Sequence, residues 1–187
     1  MEKKNDSWQY ILSHTEMKNP QTNWEECWRL ARLKGLGAEN TSFLFKLLHN
    51  TLVTQERLAR TIPNLSSLCK FPGCPGTEDE DQSHAIISCL GNNGTGIAVL
   101  NALRTFVPGL TAVEALRLDF SADPTLEMPL VFAIAVALGA IWNLRQKKIR
   151  PQHYLVRAEL EARVALLREC RDYTKEADVI DTFIETL

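Results

Sequence analysis

The chain has 187 residues, 45% of them hydrophobic and 24% charged, the balance of an ordinary soluble globular domain and not of a disordered tail, a collagen-like repeat or a coiled coil. Its 21 basic and 23 acidic residues leave a formal net charge of −2, which argues against a surface coated in positive charge for nucleic acid. Five cysteines follow a polar start, residues 1–7, with no apolar stretch behind it; this predicts a reducing cytoplasmic and nuclear setting, where clustered thiols point to metal before disulfide.

In chain order, the N-terminal stretch carries Trp8, Tyr10, Trp24 and Trp28. Trp24 and Trp28, four apart, share a helix face, a spacing that favours core packing over a base-stacking platform. Trp24 to Lys34 reads as one helix broken by Gly35 and Gly37, Thr41 to Asn50 as a second, and Thr54 to Arg60 as a short third, with glycine and asparagine at the ends as stop signals. Ile62 to Leu90 interrupts the helical pattern with Pro, Gly, Ser and acidic residues and holds three of the five cysteines. Thr111-Ala-Val-Glu114 has capping-box form and predicts a helix through Leu118. The apolar run Leu130 to Trp142 is too short for a membrane-spanning helix of about 20 residues and reads as a helix buried nearly all round. Two long helices, about 127–148 and 151–174, and a short acidic one from about 176 complete the pattern, with Pro151 placed for a first helical turn. Strict alternation is nearly absent, so the expected class is all-α.

The chemistry lies in Cys69-x4-Cys74-x9-His84-x4-Cys89. Tetrahedral zinc takes four nitrogen or sulfur ligands, commonly as two close pairs separated by a loop. Cys69 and Cys74 flank Lys-Phe-Pro-Gly, a turn-forming sequence, while one helical turn brings His84 and Cys89 to nearby faces, with Ser83 as its candidate cap. A full Cys3His set leaves no open position for water, so the zinc is expected to be structural, not catalytic. In small zinc modules such binding is worth about 10–16 kcal/mol, enough to order a loop with little core of its own. The alternative is three buried thiols and a surface histidine. Cys27 and Cys170 fall among apolar helical positions and read as core residues, and His14, His49 and His153 have no partner at ligand spacing.

Trp28-Arg29-Leu30, Phe43 to His49, Leu52-x-Thr54-Gln-Glu-Arg57-Leu58 and the Cys, Cys, His-Ala, Cys series together resemble the zinc-binding region found after the polymerase domain in non-LTR (LINE-type) retrotransposon reverse transcriptases, over about Trp24 to Leu90. Trp142-x2-Arg145 resembles that family's C-terminal tail. The resemblance implies a C-terminal accessory module of such a polyprotein, or a host protein derived from one, in which the zinc region helps hold template RNA or target DNA and Cys69, Cys74, His84 and Cys89 take the ligand positions. Polymerase activity is not implied, since the chain has no paired-aspartate motif of that kind. A neighbouring nuclease is not implied either: Asp119 and Asp123 form the nearest acidic pair, lack a following lysine, and read as a loop between helices. The expected organisation is one zinc-stabilised helical domain over 1–187, with the reverse-transcriptase-tail-like region at 24–90 and a helical part at 91–187.

Charge is segregated along the chain. Residues 29–70 hold seven basic against two acidic residues, and residues 145–175 nine against four, a local excess of five positive charges in each. Arg157, Arg168, Arg171 and Lys175 fall within a sector of about 60° on a helix at about 100° per residue. Arg57, Arg60 and Lys70 lead into the zinc segment, with Phe71 positioned to stack on a base and the basic side chains to meet phosphate. Glu78 to Asp81, inside the same segment, would repel phosphate unless turned away. Two functions are expected from this: non-catalytic binding of RNA or DNA through phosphate contacts, or a structural or protein-docking module that self-associates or closes a larger polyprotein. No hydrolytic residue set and no membrane partner are expected.

Overall fold

A computed structural model describes residues 22–120, 124–169 and 173–187. Eight α-helices are described: α1 Trp24–Leu30, α2 Gly37–Leu48, α3 Gln55–Thr61, α4 Thr95–Arg104, α5 Ala112–Arg117, α6 Pro124–Gln146, α7 His153–Glu169 and α8 Thr174–Thr186. Between α3 and α4 lie one π-helical turn, His84–Ser88, and a short 3-10 turn, Leu90–Asn92. Among the described residues there is no strand, only one antiparallel bridge between Leu68 and Asp79, and the all-α class holds.

The centre of the molecule is α6. Its 23 residues extend well past the apolar run read from the sequence, so the helix is long and apolar enough to cross a membrane, yet 72% of its apolar window is buried against the rest of the protein. It packs on α7, α8, α2 and α4. The continuous core drawn around it runs from Cys27 and Leu30 through Ile86, Leu103 and Ile134 to Leu160 and Phe183. At roughly 25 cal/mol per Å² of apolar surface, burying side chains of this size is worth about 1.5–3 kcal/mol each, and that supplies the driving force for a helix with no charged face.

Several boundaries differ from the sequence expectation for local reasons. The first helix stops at Leu30, not Lys34, and Gly35 and Gly37 adopt φ values of +95° and +74°. The second starts at Gly37, four residues before Thr41, because the buried Asn40 side chain donates to the Leu36 carbonyl at 2.8 Å and closes that first turn. Helix α4 was not expected. Left-handed Asn93 and Gly94 turn the chain into it, and Val99, Leu100 and Leu103 bury its inner face. Pro151 lies before α7 instead of in its first turn, buried, with its carbonyl accepting from Asn93 and Thr95 at 3.4 Å each. Helix α7 runs to Glu169, the last described residue before position 173, and the acidic helix α8 is 13 residues long instead of short. The expected capping box at Thr111 and Glu114 is present, the Glu114 carboxylate accepting from the Thr111 amide at 2.8 Å.

Candidate metal centre

The segment between α3 and α4 begins as a narrow two-sided ribbon. The Cys69 amide donates to the Glu78 carbonyl at 2.9 Å and the Glu80 amide to the Ser67 carbonyl at 2.8 Å, which pins the first ligand opposite the acidic run. Between these arms the chain reverses through Gly73 and Gly76, both at positive φ, and the Cys74 amide donates to the Phe71 carbonyl at 3.0 Å. This is the turn that Lys-Phe-Pro-Gly predicts, and it carries Cys74 back toward Cys69.

The second pair depends on an unusual turn. On an α-helix, residues five apart point about 140° away from each other, so His84 and Cys89 could not share a ligand site. The backbone instead makes the wider π turn, with the Cys89 amide bonded to the His84 carbonyl at 2.8 Å. Asp81 starts this turn, its carboxylate accepting from the His84 amide at 2.6 Å. Ser83, the expected cap, makes no capping bond, because its backbone is already helical at φ −66° and ψ −47° and Asp81 takes the capping place. Asn92, fully buried, donates to the Ala85 and Ile86 carbonyls at 2.9 and 3.1 Å and satisfies the oxygens that a π turn leaves open.

The outcome is a cluster in which one ligand atom from each of Cys69, Cys74, His84 and Cys89 lies within 4.8 Å of all the others. Cys69 and Cys89 are 3.8 Å apart at sulfur, and Cys74 Sγ is 3.5 Å from His84 Nε2. Cys69, His84 and Cys89 are buried and Cys74 is half-buried. This group could hold a metal ion. On the other side of the imidazole ring, His84 Nδ1 is 2.8 Å from Glu78 Oε2. Burial pushes the Cys69 thiol up, while the Phe71 amide and the Arg145 guanidinium oppose that shift; a cation among the sulfurs would favour the thiolates further.

Arg145, from the last turn of α6, completes the surroundings. It is 5% exposed. Nη2 lies 3.7 Å from Cys69 Sγ and 3.1 Å from Glu80 Oε1, Nη1 donates to Asn92 Oδ1 at 3.0 Å, and the guanidinium covers the Phe71 ring at 4.0 Å from its centroid. Burial works against its charge, and Cys89, Cys69 and Glu80 outweigh that cost, holding Arg145 above its usual range.

These contacts correct part of the sequence reading. Phe71 is 8% exposed, covered by Arg145 on one side, while a Cβ on Gly91 would sit 2.6 Å from its ring; it is a packing residue of the cluster and not free to stack on a base. Of the acidic run only Glu80 is buried, paired with Arg145; Glu78, Asp79 and Asp81 stay exposed, each engaged locally, Glu78 with His84, Asp79 with Ser67 and Asp81 with the amide that opens the π turn.

The expected basic residues divide into groups. Arg60 pairs with Glu56, and Arg57, exposed, donates to the Asn50 carbonyl at 2.6 Å. Arg157 and Arg168, both on α7, pair with Glu161 at 2.9 Å and with Asp181, whereas Lys175 belongs to α8, so these three do not form the single-helix stripe that the spacing suggests. Lys70 and Lys175 are exposed, and Arg171, like Cys170, Asp123, Trp8, Tyr10 and His14, lies outside the described residues. Cys27 is buried, as expected of a core residue, and burial pushes its thiol to about 12. Trp24 and Trp28 pack with centroids 6.5 Å apart, and Trp28 continues onto His49 at 4.6 Å.

What the sequence reading missed is the turn after α6. Arg150 folds over the knuckle: Nη2 donates to Asn93 Oδ1 at 2.8 Å, and a Cβ on Gly73 would sit 2.7 Å from the same nitrogen. Lys148, at φ 58°, makes the reversal that brings it there. Lys147, Lys148 and Arg150 are exposed along with Lys70, and none of the four takes part in an ion pair among the described residues. The Lys-Lys-Ile-Arg run was the available signal. Comparison with family models, with curated proteins and with solved structures finds no match for this chain.

Proposed function

We propose that this chain is a zinc-stabilised, non-catalytic nucleic-acid-binding module of the kind found after the polymerase domain of LINE-type reverse transcriptases, or a host protein derived from one. Zinc is favoured by the donor set, since three thiolates and one imidazole in a closed tetrahedron suit it and leave no position for a reacting water. The contact from Glu78 to His84 Nδ1 supports this reading, because a carboxylate there fixes the tautomer that leaves Nε2 as ligand.

One observation carries the nucleic-acid part: Arg150, exposed and docked on the knuckle turn, stands beside the segment in which Lys70 is also exposed, with the exposed Lys148 two residues before it in the chain. Exposed cations without carboxylate partners are what phosphate contacts require. Fluorescence anisotropy with single-stranded RNA and with duplex DNA, at about 50 mM salt, tests the reading; binding that weakens steeply with added salt is expected, and no binding to either overturns it. The ion-paired arginines on α7 favour a second reading, a docking module for protein or for a second copy. Concentration-dependent sedimentation without nucleic-acid binding would select that one.

A further inference from the structure

We infer that Arg145 is the positioning residue of the metal centre, a buried guanidinium preset to hold the Cys69 thiolate, so that metal loading is tied to the central helix. This rests on the metal reading above. Among the described residues Arg145 is the one buried lysine or arginine, and burying a lone cation is costly unless it is paired and hydrogen-bonded. Its surroundings fix its direction: Asn92 holds Nη1, Glu80 holds Nη2, and the Phe71 ring supports its face. With those three contacts made, Nη2 also faces Cys69 Sγ.

The charges explain why this arrangement suits a loaded site. A divalent cation with three thiolates and a neutral imidazole carries a net charge of −1, inside a cluster whose ligands are mostly buried. A cation already in place at the sulfurs stabilises that anion and does little for three neutral thiols, so it favours the loaded state over the empty one. The N–H donors also draw electron density from sulfur without displacing it from the metal. Because Arg145 is the last buried residue of α6, and Asn92 links it to the π turn carrying His84, one side chain connects the central helix both to Cys69 and to that turn.

The competing explanation is that Arg145 serves only to neutralise Glu80. Three variants of the full chain separate the two: Arg145→Met, Arg145→Met with Glu80→Gln, and Arg145→Lys. The double variant leaves no unpaired buried charge and keeps an apolar side chain over Phe71. Zinc affinity is read by chelator competition, and the environment of the sulfurs by the thiolate-to-metal charge-transfer bands of the cobalt-substituted protein. Arg145→Met is expected to weaken zinc binding about 10–100-fold, the usual effect of losing a partner of the ligands. The double variant is expected to remain at least about tenfold weaker than the parent, and its cobalt bands to move to lower energy, as thiolates without their donor give up charge more easily. Arg145→Lys is expected to fall between. A double variant with parental affinity and unmoved bands overturns the inference while leaving the metal site standing. A parent chain that takes up no metal overturns both.

Discussion

His84 Nδ1 lies 2.8 Å from Glu78 Oε2 while Nε2 of the same ring lies 3.5 Å from Cys74 Sγ. The imidazole therefore has an outer nitrogen held by a carboxylate and an inner one turned to the sulfurs. Glu78 is 69% exposed on its side chain, so water can partly replace it. Glu78→Ala is expected to weaken zinc binding toward the lower end of the usual 10–100-fold range for such partners, and Glu78→Gln, which keeps an acceptor, less than that. Chelator competition measures both; an unchanged affinity in Glu78→Ala would show that the ring is oriented by its turn alone.

Removing the metal is expected to loosen one arm of the knuckle and not the other. Cys69, Phe71 and Cys89, with Cys74, form a small cluster of their own, which is too little apolar surface to order residues 66–81. Ala85, Ile86 and Ile87 belong to the main core. Hydrogen exchange with and without a strong chelator should show lost protection at the amides of Cys69, Cys74 and Glu80, with the π turn and α6 little changed. Loss of protection across α6 and α8 would mean that the metal holds the whole domain together.

The four clustered donors were legible in the sequence because all lie between residues 69 and 89, at the short paired spacing common in structural zinc modules. Helix positions were legible wherever apolar spacing and caps agreed, as at Thr111 and Glu114. The partners of the ligands were not. Arg145 is 76 residues from Cys69 and 53 from Asn92, and only packing brings such residues together. Phe71 and Glu80 look like surface residues one position at a time; their burial follows from the ribbon that sets Glu80 opposite Ser67 and from Arg145, which covers both.

Gly96 is a position where the smallest residue is required by a backbone crossing. A Cβ there would sit 2.2 Å from the Ile86 carbonyl oxygen and 2.5 Å from that of Ile87, and backbone atoms of the π turn cannot move aside without shifting His84 and Cys89. In an open helix Gly→Ala gains about 1 kcal/mol. Here Gly96→Ala is expected to destabilise the fold by about 1–3 kcal/mol, the scale of overpacking, and to weaken metal binding as well. Urea unfolding measures the first and chelator competition the second. A stabilised variant would show that α4 does not approach the π turn this closely.

If phosphate contacts come from the knuckle side, the two basic groups should respond differently to charge reversal. Lys148→Glu with Arg150→Glu removes two cations that have no carboxylate partner, whereas Arg157→Glu with Arg168→Glu alters residues already held by Glu161, Asp178 and Asp181. Each lost contact lowers the slope of log affinity against log salt by about 0.9 on duplex DNA and about 0.7 on a single strand. The first pair is therefore expected to reduce the slope by about 1.4–1.8 and to weaken binding at low salt several-fold, and the second pair to change the slope little. The opposite ranking would place the contact surface on α7, despite its ion pairs, and equal, small effects from both pairs would favour a protein partner over nucleic acid.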